Sequence, residues 1–344
     1  MKNLKLGKLK FGKMIAATVM LAGLMCISGC AGNAQAEEVP DTIFSGVNAD
    51  LEIASIFTNL PNIANQTAKK ISKPVKVTIG DVTLMSDAEV ADLSGMDLNE
   101  VDVEDFLTNM TKLKKLTIKN CGLDNDGYAA LQDAHPDVRM IWNIKTRYWT
   151  IPTDAVGFST LIGLNDNRRL YNDDVKYFKY CTDMVALDIG HCCVSDLSFL
   201  QYMPNLRVLI LVENYPTDGS SRRLKDISYL KYCPHIRYLE FFANDVNDIS
   251  VLSELKELED LNFCYNPVTD ATPIYDLPNL KKLWIYGTRI PAEQKAELRE
   301  LYPNTVICLS GSGSVDQGWR SGERYWAMRN MVKNNVIDDV YKFE

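Results

Sequence analysis

A histidine and two cysteines lie side by side in the sequence, at His191, Cys192 and Cys193. A zinc site needs about four ligands, usually in closely spaced pairs, and the sequence contains no Cys-x-x-Cys. A thiol enzyme needs an activated cysteine with a histidine partner. Cys192 is predicted to point inward, while Cys193 could be exposed on a turn. The cluster therefore indicates turn structure, and we predict that neither a metal nor a cofactor is bound.

The remaining candidates for catalysis are equally weak. His135 and His235 lie beside prolines and are predicted to be turn residues. Neither Gly-x-Ser-x-Gly nor His-Glu-x-x-His occurs, and the pair Asp173-Asp174 is predicted to be a solvated turn or a helix start. We predict that the protein is not an enzyme. The alternative is a hydrolase with its site in the connector or the C-terminal tail, both defined below.

One cysteine has a different predicted chemistry. The first 14 residues carry five lysines and no acid, and an apolar run over 15–27 leads into Ile27-Ser28-Gly29-Cys30. A basic start followed by a short apolar core is typical of an export signal. The last four residues resemble the lipobox of bacterial lipoproteins, which implies cleavage before Cys30, lipidation of Cys30 and anchoring on the extracytoplasmic face of a membrane. The alternative is an ordinary cleaved signal in which Cys30 is incidental.

The composition is that of an acidic exported protein. The whole chain has a formal charge of −8, and removal of the lysine-rich signal makes the remainder still more acidic. This excess of acids argues against nucleic acid or an anionic membrane surface as the main partner. Seven cysteines remain besides Cys30 once the signal is removed, and their unpatterned spacing does not indicate a disulfide framework.

The elements that must position any site come from an internal repeat. The pattern Leu-x-x-Leu-x-Leu-x-x-Asn-x-Ile, with apolar substitutes, begins at Met184, Leu206, Ile236, Leu258 and Leu280. The starts are 22 residues apart, except for one spacing of 30 that holds eight extra residues within Tyr215 to Leu224. Each alternating Leu-x-Leu predicts a short strand with two inward side chains, and the Asn column predicts side chains that satisfy backbone groups at the turn. Cys192 and Thr288 replace Asn in that column, and Cys181 and Cys233 are predicted to be buried core residues.

The repeat resembles the 22-residue class of leucine-rich repeats in bacterial internalins. The resemblance implies an α/β solenoid, in which short strands stack into a curved parallel sheet with short helices or irregular chain on the convex side. It also implies protein–protein interaction as the default function. The sequence departs from internalins in its anchor, because no Leu-Pro-x-Thr-Gly sorting signal occurs near the C-terminus.

A second repeat block is predicted upstream. The segment Leu113 to Trp142 aligns without gaps on Leu280 to Leu309, and each copy predicts a repeat strand, an amphipathic helix, a proline and a final strand. Residues 51–72 are predicted to be helical, and the portion Ile144 to Ile151 is predicted to be added β-structure. The predicted organisation is a signal peptide (1–29), a lipidated tether (30–45), a cap with a degenerate repeat block (46–145), a connector (146–177), the main repeat block with its cap (178–310) and a C-terminal tail (311–344).

The predicted binding surface is the concave face, which we define as the side of the main strands that carries the second, fourth and sixth positions after each repeat start. Side chains alternate across a strand, so these positions point away from the core. They form an apolar, aromatic stripe with acids beside it, a composition typical of interaction sites. Cys264 is expected to be exposed on this face, as is Asp188. The residues predicted to bind ligand are Val212, Tyr238, Glu240, Phe242, Asp260, Asn262, Trp284 and Tyr286.

We predict that the ligand is a protein, a peptide or a cell-wall component. The alternative is an envelope structural component in which this chain covers its own stripe. The candidates for such a cover are the eight-residue insertion and the tail, which contains Trp319, Arg320, Arg324, Tyr325, Trp326 and Arg329. Packing of the tail against the end of the solenoid is the simpler expectation for the tail itself.

Overall fold

The computed structural model describes residues 73–160, 167–214 and 223–311, together with 313, 315, 317–321, 325, 326 and 328–330. The predicted signal, Cys30, the tether, the helix over 51–72 and most of the eight-residue insertion lie outside the described residues. None of the helices in the described ranges has the length and apolar character needed to cross a membrane.

The upstream block consists of an antiparallel hairpin followed along the chain by a short stack of parallel strands. The hairpin pairs β1 (Lys76–Ile79) with β2 (Val82–Met85). The stack has the order β3 (Val90–Asp92), β4 (Lys115–Thr117) and β5 (Arg139–Ile141), with helix α1 (Val103–Asn109) after β3 and helix α2 (Asn125–Ala134) after β4. Parallel pairing places Ala91, Leu116 and Met140 side by side, and all three are buried. The predicted upstream repeats are therefore present as a strand ladder.

The predicted β-structure spans the boundary between the upstream block and the connector. Strand β6 (Asn143–Lys145) pairs antiparallel with β7 (Thr150–Pro152), which confirms the expectation over Ile144 to Ile151. Strand β8 (Gly157–Ser159) follows and pairs with the first repeat strand of the main block, a strand that the repeat pattern does not predict. Helix α3 (Asn172–Val175) then contains Asp173 and Asp174, as expected for a helix start.

The main block is a seven-stranded parallel sheet in chain order. The register aligns the second Leu of every repeat, so Leu187, Leu209, Leu239, Leu261 and Leu283 form one fully buried row. Each inward row can be buried only by its neighbours, as in other solenoids. After β8 the strands are β9 (Ala186–Asp188), β10 (Val208–Ile210), β11 (Tyr238–Glu240), β12 (Asp260–Asn262), β13 (Lys282–Trp284) and β14 (Val306–Cys308).

The opposite side of four main-block repeats is a turn of 3-10 helix that begins after an aspartate. Asp248 Oδ1 accepts the backbone N–H of Ser250 at 2.9 Å, and Asp196, Asp226 and Asp270 accept the N–H two residues on in the same way. Each of these aspartates is followed by an apolar residue in the sequence, and its short acceptor side chain stabilises the start of the helical turn. The 3-10 segments are Lys176–Tyr180, Ser198–Tyr202, Ser228–Tyr232, Ser250–Glu254 and Thr272–Ile274.

The Asn column satisfies backbone groups as predicted. Asn244 donates from Nδ2 to the carbonyls of Leu211 and Phe241 at 2.9 and 2.8 Å, and its Oδ1 accepts the N–H of Asn214 at 2.8 Å. Asn266 Nδ2 reaches the Phe241 carbonyl at 3.0 Å in the same manner. The residue before this column has left-handed backbone in six repeats, with positive φ at Asn120, His191, Glu213, Ala243, Tyr265 and Gly287.

The two predicted terminal units have the same structure. Helix α4 (Ala292–Leu301) and α2 are both ten residues long, and β14 follows α4 as β5 follows α2. The upstream unit also packs on the main block through Trp142, whose ring stacks on Tyr128 at 5.1 Å and contacts Tyr180 at 5.5 Å. Tyr177 adds a hydrogen bond from its hydroxyl to Asp126 at 2.7 Å. The main apolar core therefore runs through both blocks.

Candidate functional site

The concave face is buried, which corrects the expectation of an exposed stripe. Trp284 is 1% exposed, Tyr238 2% and Phe242 4%, and Glu240 and Asn262 are completely buried. Val212, Asp260 and Cys264 are also buried, whereas Tyr286 is partly exposed. The strands present these side chains on the predicted face, but another part of the same chain lies over them.

The cover is the C-terminal segment, by which we mean the described residues 317–321, 325, 326 and 328–330. Its Trp319, Tyr325 and Met328 join eight apolar concave-face residues and Cys308 in a second cluster, separate from the main core. The concave-face members of this cluster are Ala186, Val208, Ile210, Val212, Tyr238, Phe242, Cys264 and Trp284. The expectation that the tail packs against the end of the solenoid is therefore wrong for this segment. Its Trp319, Tyr325 and Met328 side chains are buried against the stripe, and burial of apolar area drives packing.

Trp319 lies in an aromatic slot on the concave face. Its ring centroid is 5.5 Å from that of Tyr238 and 5.1 Å from that of Trp284, with interplanar angles of 38° and 54°. These separations are those of favourable aromatic pairs. Trp319 is 1% exposed, so the slot removes almost the whole side chain from water.

An ion pair between a partly exposed arginine and a buried carboxylate lies next to the slot. Arg320 Nη2 donates to Glu240 Oε1 at 2.7 Å, and the Tyr238 hydroxyl donates to Glu240 Oε2 at 2.9 Å. The Arg320 guanidinium also lies 5.7 Å from the Phe242 ring centroid and 5.8 Å from that of Tyr325, within the range of cation–π attraction. Burial, with a further contribution from the Glu240 carboxylate, raises the pKa of Tyr238 well above its usual value of 10.0. Tyr238 therefore stays protonated and remains a hydrogen-bond donor.

A second ion pair fixes the segment two strands away. Arg329 Nη1 contacts Asp188 Oδ2 on β9, and the same carboxylate accepts Ser159 Oγ at 2.8 Å and the Gly190 N–H at 3.1 Å. Burial acts to lower the pKa of Arg329, but Asp188 outweighs it and the net shift is upward. The same balance, with Glu240 in place of Asp188, raises the pKa of Arg320. Both arginines are therefore held as cations against acids of the concave face.

The cysteines of the site are buried thiols. Cys264 and Cys193, which the sequence suggested could be exposed, are 0% and 8% exposed, because the second cluster encloses Cys264 and the Tyr171–Cys193 bridge covers the turn at Cys193. Cys181, Cys192 and Cys233 are fully buried, as predicted. Burial raises the pKa of Cys264 to about 12, and that of Cys192 likewise. Thiols with such values hold almost no thiolate at neutral pH, and thiolate is the nucleophilic form.

The three histidines form pairs with glutamates. His191 Nδ1 lies 2.9 Å from Glu213 Oε2, and His191 itself occupies one of the left-handed turn positions. His135 pairs with Glu104 at 2.8 Å and His235 with Glu257 at 2.7 Å, so each links neighbouring parts of the fold. Among the residues that the structure describes, no group of three or more His, Cys, Asp or Glu is arranged to hold a metal ion.

Sequence reasoning missed three of the residues that build this site. Ser159 was missed because β8 does not follow the repeat pattern, and Arg320 and Arg329 were named only as part of a possible cover. Asp188 was recognised as an acid beside the stripe but not as a binding residue. The sequence offered one signal, which is charge. Asp188 and Glu240 both stand four residues after a repeat start, and the tail contains arginines that can pair with them.

Comparisons with known proteins give only distant structural likenesses. No protein-family model matches the chain, and no curated protein does. Among solved structures, internalin C2 of Listeria monocytogenes is 19% identical over 60% of this chain and 74% of that one, with a TM-score of 0.35. A second Listeria monocytogenes internalin, inlF, is 17% identical over 62% of this chain and 64% of that one, with a TM-score of 0.34.

A leucine-rich-repeat protein of Leptospira interrogans is 16% identical over 58% of this chain and 50% of that one, again with a TM-score of 0.34. The chain thus spans less than two thirds of two of these three structures. Likenesses of this size carry no conclusion about function. The register of the seven parallel strands and the 22-residue period decide the architecture. The chain has a leucine-rich-repeat fold.

Proposed function

We propose that the protein is a non-catalytic binding protein, held by lipid on Cys30 at the extracytoplasmic face of a membrane, that recognises polypeptide at its concave face. One observation carries the binding proposal: the concave face already holds a polypeptide segment through an aromatic slot and two charge pairs. Buried aromatic and arginine anchors of this kind dominate the energetics of protein interfaces. Tyr238, Glu240, Phe242 and Trp284 are the central binding residues of the proposal, with Asp188 added.

Val212, Asp260, Asn262 and Tyr286 complete the proposed face in secondary roles. Val212 belongs to the apolar cluster, and Asn262 Oδ1 accepts the N–H of Cys264 at 3.1 Å. Tyr286 packs edge-on against Tyr265 at 5.2 Å and lies at the margin of the covered area. We propose that these residues shape the face, while the aromatic slot, Glu240 and Asp188 bind the ligand.

The binding proposal is tested by opening the face without altering it. The opened variant is the chain of residues 31–344 with Trp319→Ala, Arg320→Ala and Arg329→Ala, and its matched control carries Gln317→Ala, Ser321→Ala and Asn330→Ala at exposed positions of the same segment. Both are used to select peptides from a random displayed library. We expect enrichment of specific peptides on the opened variant and loss of that enrichment when Tyr238→Ala and Trp284→Ala are added. Enrichment that is no greater than on the control, or that survives loss of the slot, contradicts the proposal.

Membrane anchoring is tested separately at Cys30, which lies outside the described residues. A serine at this position has no thiol to accept a diacylglycerol group, so Cys30→Ser should move the protein from the membrane fraction to the soluble exported fraction. Cys26→Ser, four residues earlier in the apolar run, is the matched control and should stay in the membrane fraction. Equal fractionation of Cys30→Ser and the parent would contradict lipid anchoring.

A structural envelope protein with a permanently covered face is the second candidate. The burial of the stripe beneath the C-terminal segment favours it, and it predicts that opening the face gives no peptide selection. A hydrolase in the connector has less support. Burial raises the pKa of Asp174, but this carboxylate accepts the Tyr171 N–H at 2.9 Å and so stabilises the start of α3.

A further inference from the structure

We infer that the concave face selects a cationic, aromatic polypeptide, and that the C-terminal segment is a tethered competitor which such a partner must displace. The inference rests on the proposed function and adds to it the chemistry of the partner and the regulation of access. The partner would present an adjacent aromatic and arginine, followed by a second arginine that reaches β9.

The charges of the face define the first requirement. Glu240 is completely buried and Asp188 is 5% exposed, and each contacts an arginine of the C-terminal segment, 80 and 141 residues away in sequence. Removing the partner of a buried carboxylate while the site stays closed leaves an uncompensated charge, which is strongly unfavourable. A neutral or acidic polypeptide that covered this face would leave both acids in that state. The occupant that best compensates both acids therefore carries two cations.

The spacing of the acids defines the reach of the occupant. Glu240 lies on β11 and Asp188 on β9, so two inter-strand steps, together about 10 Å, separate them across the sheet. Trp319 contacts side chains of β11 and β13, and Arg329 reaches β9. The occupant therefore crosses five adjacent strands, a length of about 20 Å. A small ligand with one positive charge cannot satisfy both acids at once.

The aromatic slot defines the second requirement. The Tyr238 and Trp284 rings leave a place that Trp319 fills, and the guanidinium of the next residue lies over Phe242. An arginine satisfies both the Glu240 carboxylate and the ring faces, because guanidinium is planar and stacks on aromatics, whereas the lysine ammonium is a compact and strongly hydrated charge. The slot and its neighbouring acid thus favour an aromatic-arginine pair.

Two buried donors indicate that the tethered segment is an imperfect occupant. Trp319 Nε1 and Arg320 Nε are both buried without a hydrogen-bond partner. Unsatisfied buried donors weaken an interface by their lost hydration. Trp326 of the same segment is 59% exposed and contributes little to the covered face. In a better partner, the tryptophan and arginine N–H groups that correspond to these two donors would have hydrogen-bond acceptors. Such a polypeptide would bind the face more tightly than the C-terminal segment does.

Tethering explains why the face is nevertheless covered. Covalent attachment through a short stretch of chain gives a segment an effective concentration on the order of 1 mM. The attached copy therefore weakens binding of an identical external peptide by a factor on the order of 100. The expected behaviour is a face that stays closed to weak ligands and opens only to stronger or more abundant ones.

The test uses a fluorescent peptide of residues 315–330 as the probe and measures its anisotropy with the parent, the opened variant and the matched control. We expect the probe to bind the opened variant and to bind the parent and the control about 100-fold more weakly. A scrambled peptide of the same composition should not compete. A probe with R320Q and R329Q should bind the opened variant roughly thirtyfold more weakly or worse, as for loss of partners in a buried charge pair.

The acids of the face are tested in the opened variant. Glu240→Gln with Asp188→Asn should abolish the preference for the arginine-containing probe, while Glu254→Gln with Glu293→Gln, which removes two exposed acids elsewhere, should leave it unchanged. Equal binding by native and scrambled probes, or equal binding by the parent and the opened variant, would overturn the inference. If library peptides bind the opened face but the 315–330 probe does not, the inference fails and the proposed function stands. If neither binds, both fail.

Discussion

At the scale of the residue, one backbone position recurs in every complete repeat. The chain leaves each strand through left-handed backbone, which L-amino acids adopt at a cost of roughly 1–2 kcal/mol and glycine adopts freely. Gly287 has φ of 73° at this position, and a Cβ there would lie 2.6 Å from Cδ1 of the Tyr265 ring. Gly95 has φ of 83°, but no atom within 4 Å would contact its Cβ. Alanine substitution at Gly95 therefore measures the cost of backbone strain alone, whereas substitution at Gly287 adds the cost of the contact with Tyr265.

We expect Gly95→Ala to lower the free energy of unfolding by about 1 kcal/mol and Gly287→Ala to lower it by more. Urea denaturation measures both. The excess at Gly287 should disappear when Tyr265→Ala is present in both members of the comparison, because the clashing ring is then absent. An equal loss for the two single variants would show that the contact with Tyr265 has no energetic effect.

The aspartates that begin the 3-10 turns give a pH-dependent prediction. The hydrogen bond from the Ser250 N–H lowers the pKa of Asp248 below its usual 3.8, so the folded state favours the ionised carboxylate. A lowered pKa contributes stability above the usual value and loses it as the pH falls through the folded-state value. We expect Asp248→Ala to lower the free energy of unfolding by about 1 kcal/mol at neutral pH. The difference from the parent should shrink toward zero in acid.

The measurement is urea unfolding of the parent and Asp248→Ala across the acid range. Glu254→Ala, which changes an exposed acid on the same 3-10 turn, is the control and should differ little from the parent at any pH. A stability difference for Asp248→Ala that stays constant into strong acid would show that its carboxylate charge is unimportant.

Individual residues were predicted well where a repeat column fixed them and poorly where the tail decided the outcome. The buried positions of Cys181, Cys192 and Cys233 follow from their columns. Cys264 also follows from its column, which places it on the concave face, but its burial depends on a segment with no periodicity. Sequence alternation tells which face a side chain joins, and it cannot tell what covers that face.

At the scale of the element, the Asn column connects successive strands below the sheet. Asn244 is 3% exposed and satisfies the Asn214 N–H and the Leu211 carbonyl of the preceding repeat, together with the Phe241 carbonyl of its own repeat. An alanine here would leave these groups buried without partners, at about 1–3 kcal/mol for each unsatisfied group. The column therefore stabilises the turn in a way that apolar packing cannot replace.

We expect Asn244→Ala to lower the free energy of unfolding by about 3 kcal/mol or more. The matched control is Asn279→Ala, because Asn279 is exposed and donates only to the Lys256 carbonyl. Its effect should stay within about 0.5 kcal/mol. Denaturation midpoints with unchanged m-values would report both effects, and comparable losses for the two asparagines would contradict the role of the column.

The elements themselves were largely predictable. The repeat columns give the positions of β9 to β13, and the gapless match between Leu113 to Trp142 and Leu280 to Leu309 predicts both terminal units. Strand β8 was missed because Gly157-Phe158-Ser159 has no Leu-x-Leu pattern, and pairing with β9 alone makes it a strand. The eight-residue insertion remains an untested candidate for a cover, since most of it lies outside the described residues.

At the scale of the whole molecule, the described chain has two apolar clusters with different origins. The main core comes from inward positions of the repeats, and the second cluster forms where the C-terminal segment lies on the concave face. The first is fixed by periodicity and needs every neighbouring repeat. The second depends on the aromatic slot, two arginines and the buried side chains of Tyr325 and Met328, and we expect the main core to stay intact when the segment is released.

The central claim is that the C-terminal segment covers the concave face, and the reactivity of buried thiols tests it most directly. Cys264 and Cys308 lie in the second cluster with Trp319, while Cys233 lies in the main core. Maleimide labelling followed by peptide mass analysis gives the rate at each cysteine in the parent, the opened variant and the matched control. We predict slow labelling of all three thiols in the parent and the control, and much faster labelling of Cys264 and Cys308 alone in the opened variant. Labelling of Cys264 and Cys308 in the parent as fast as in the opened variant would contradict the account.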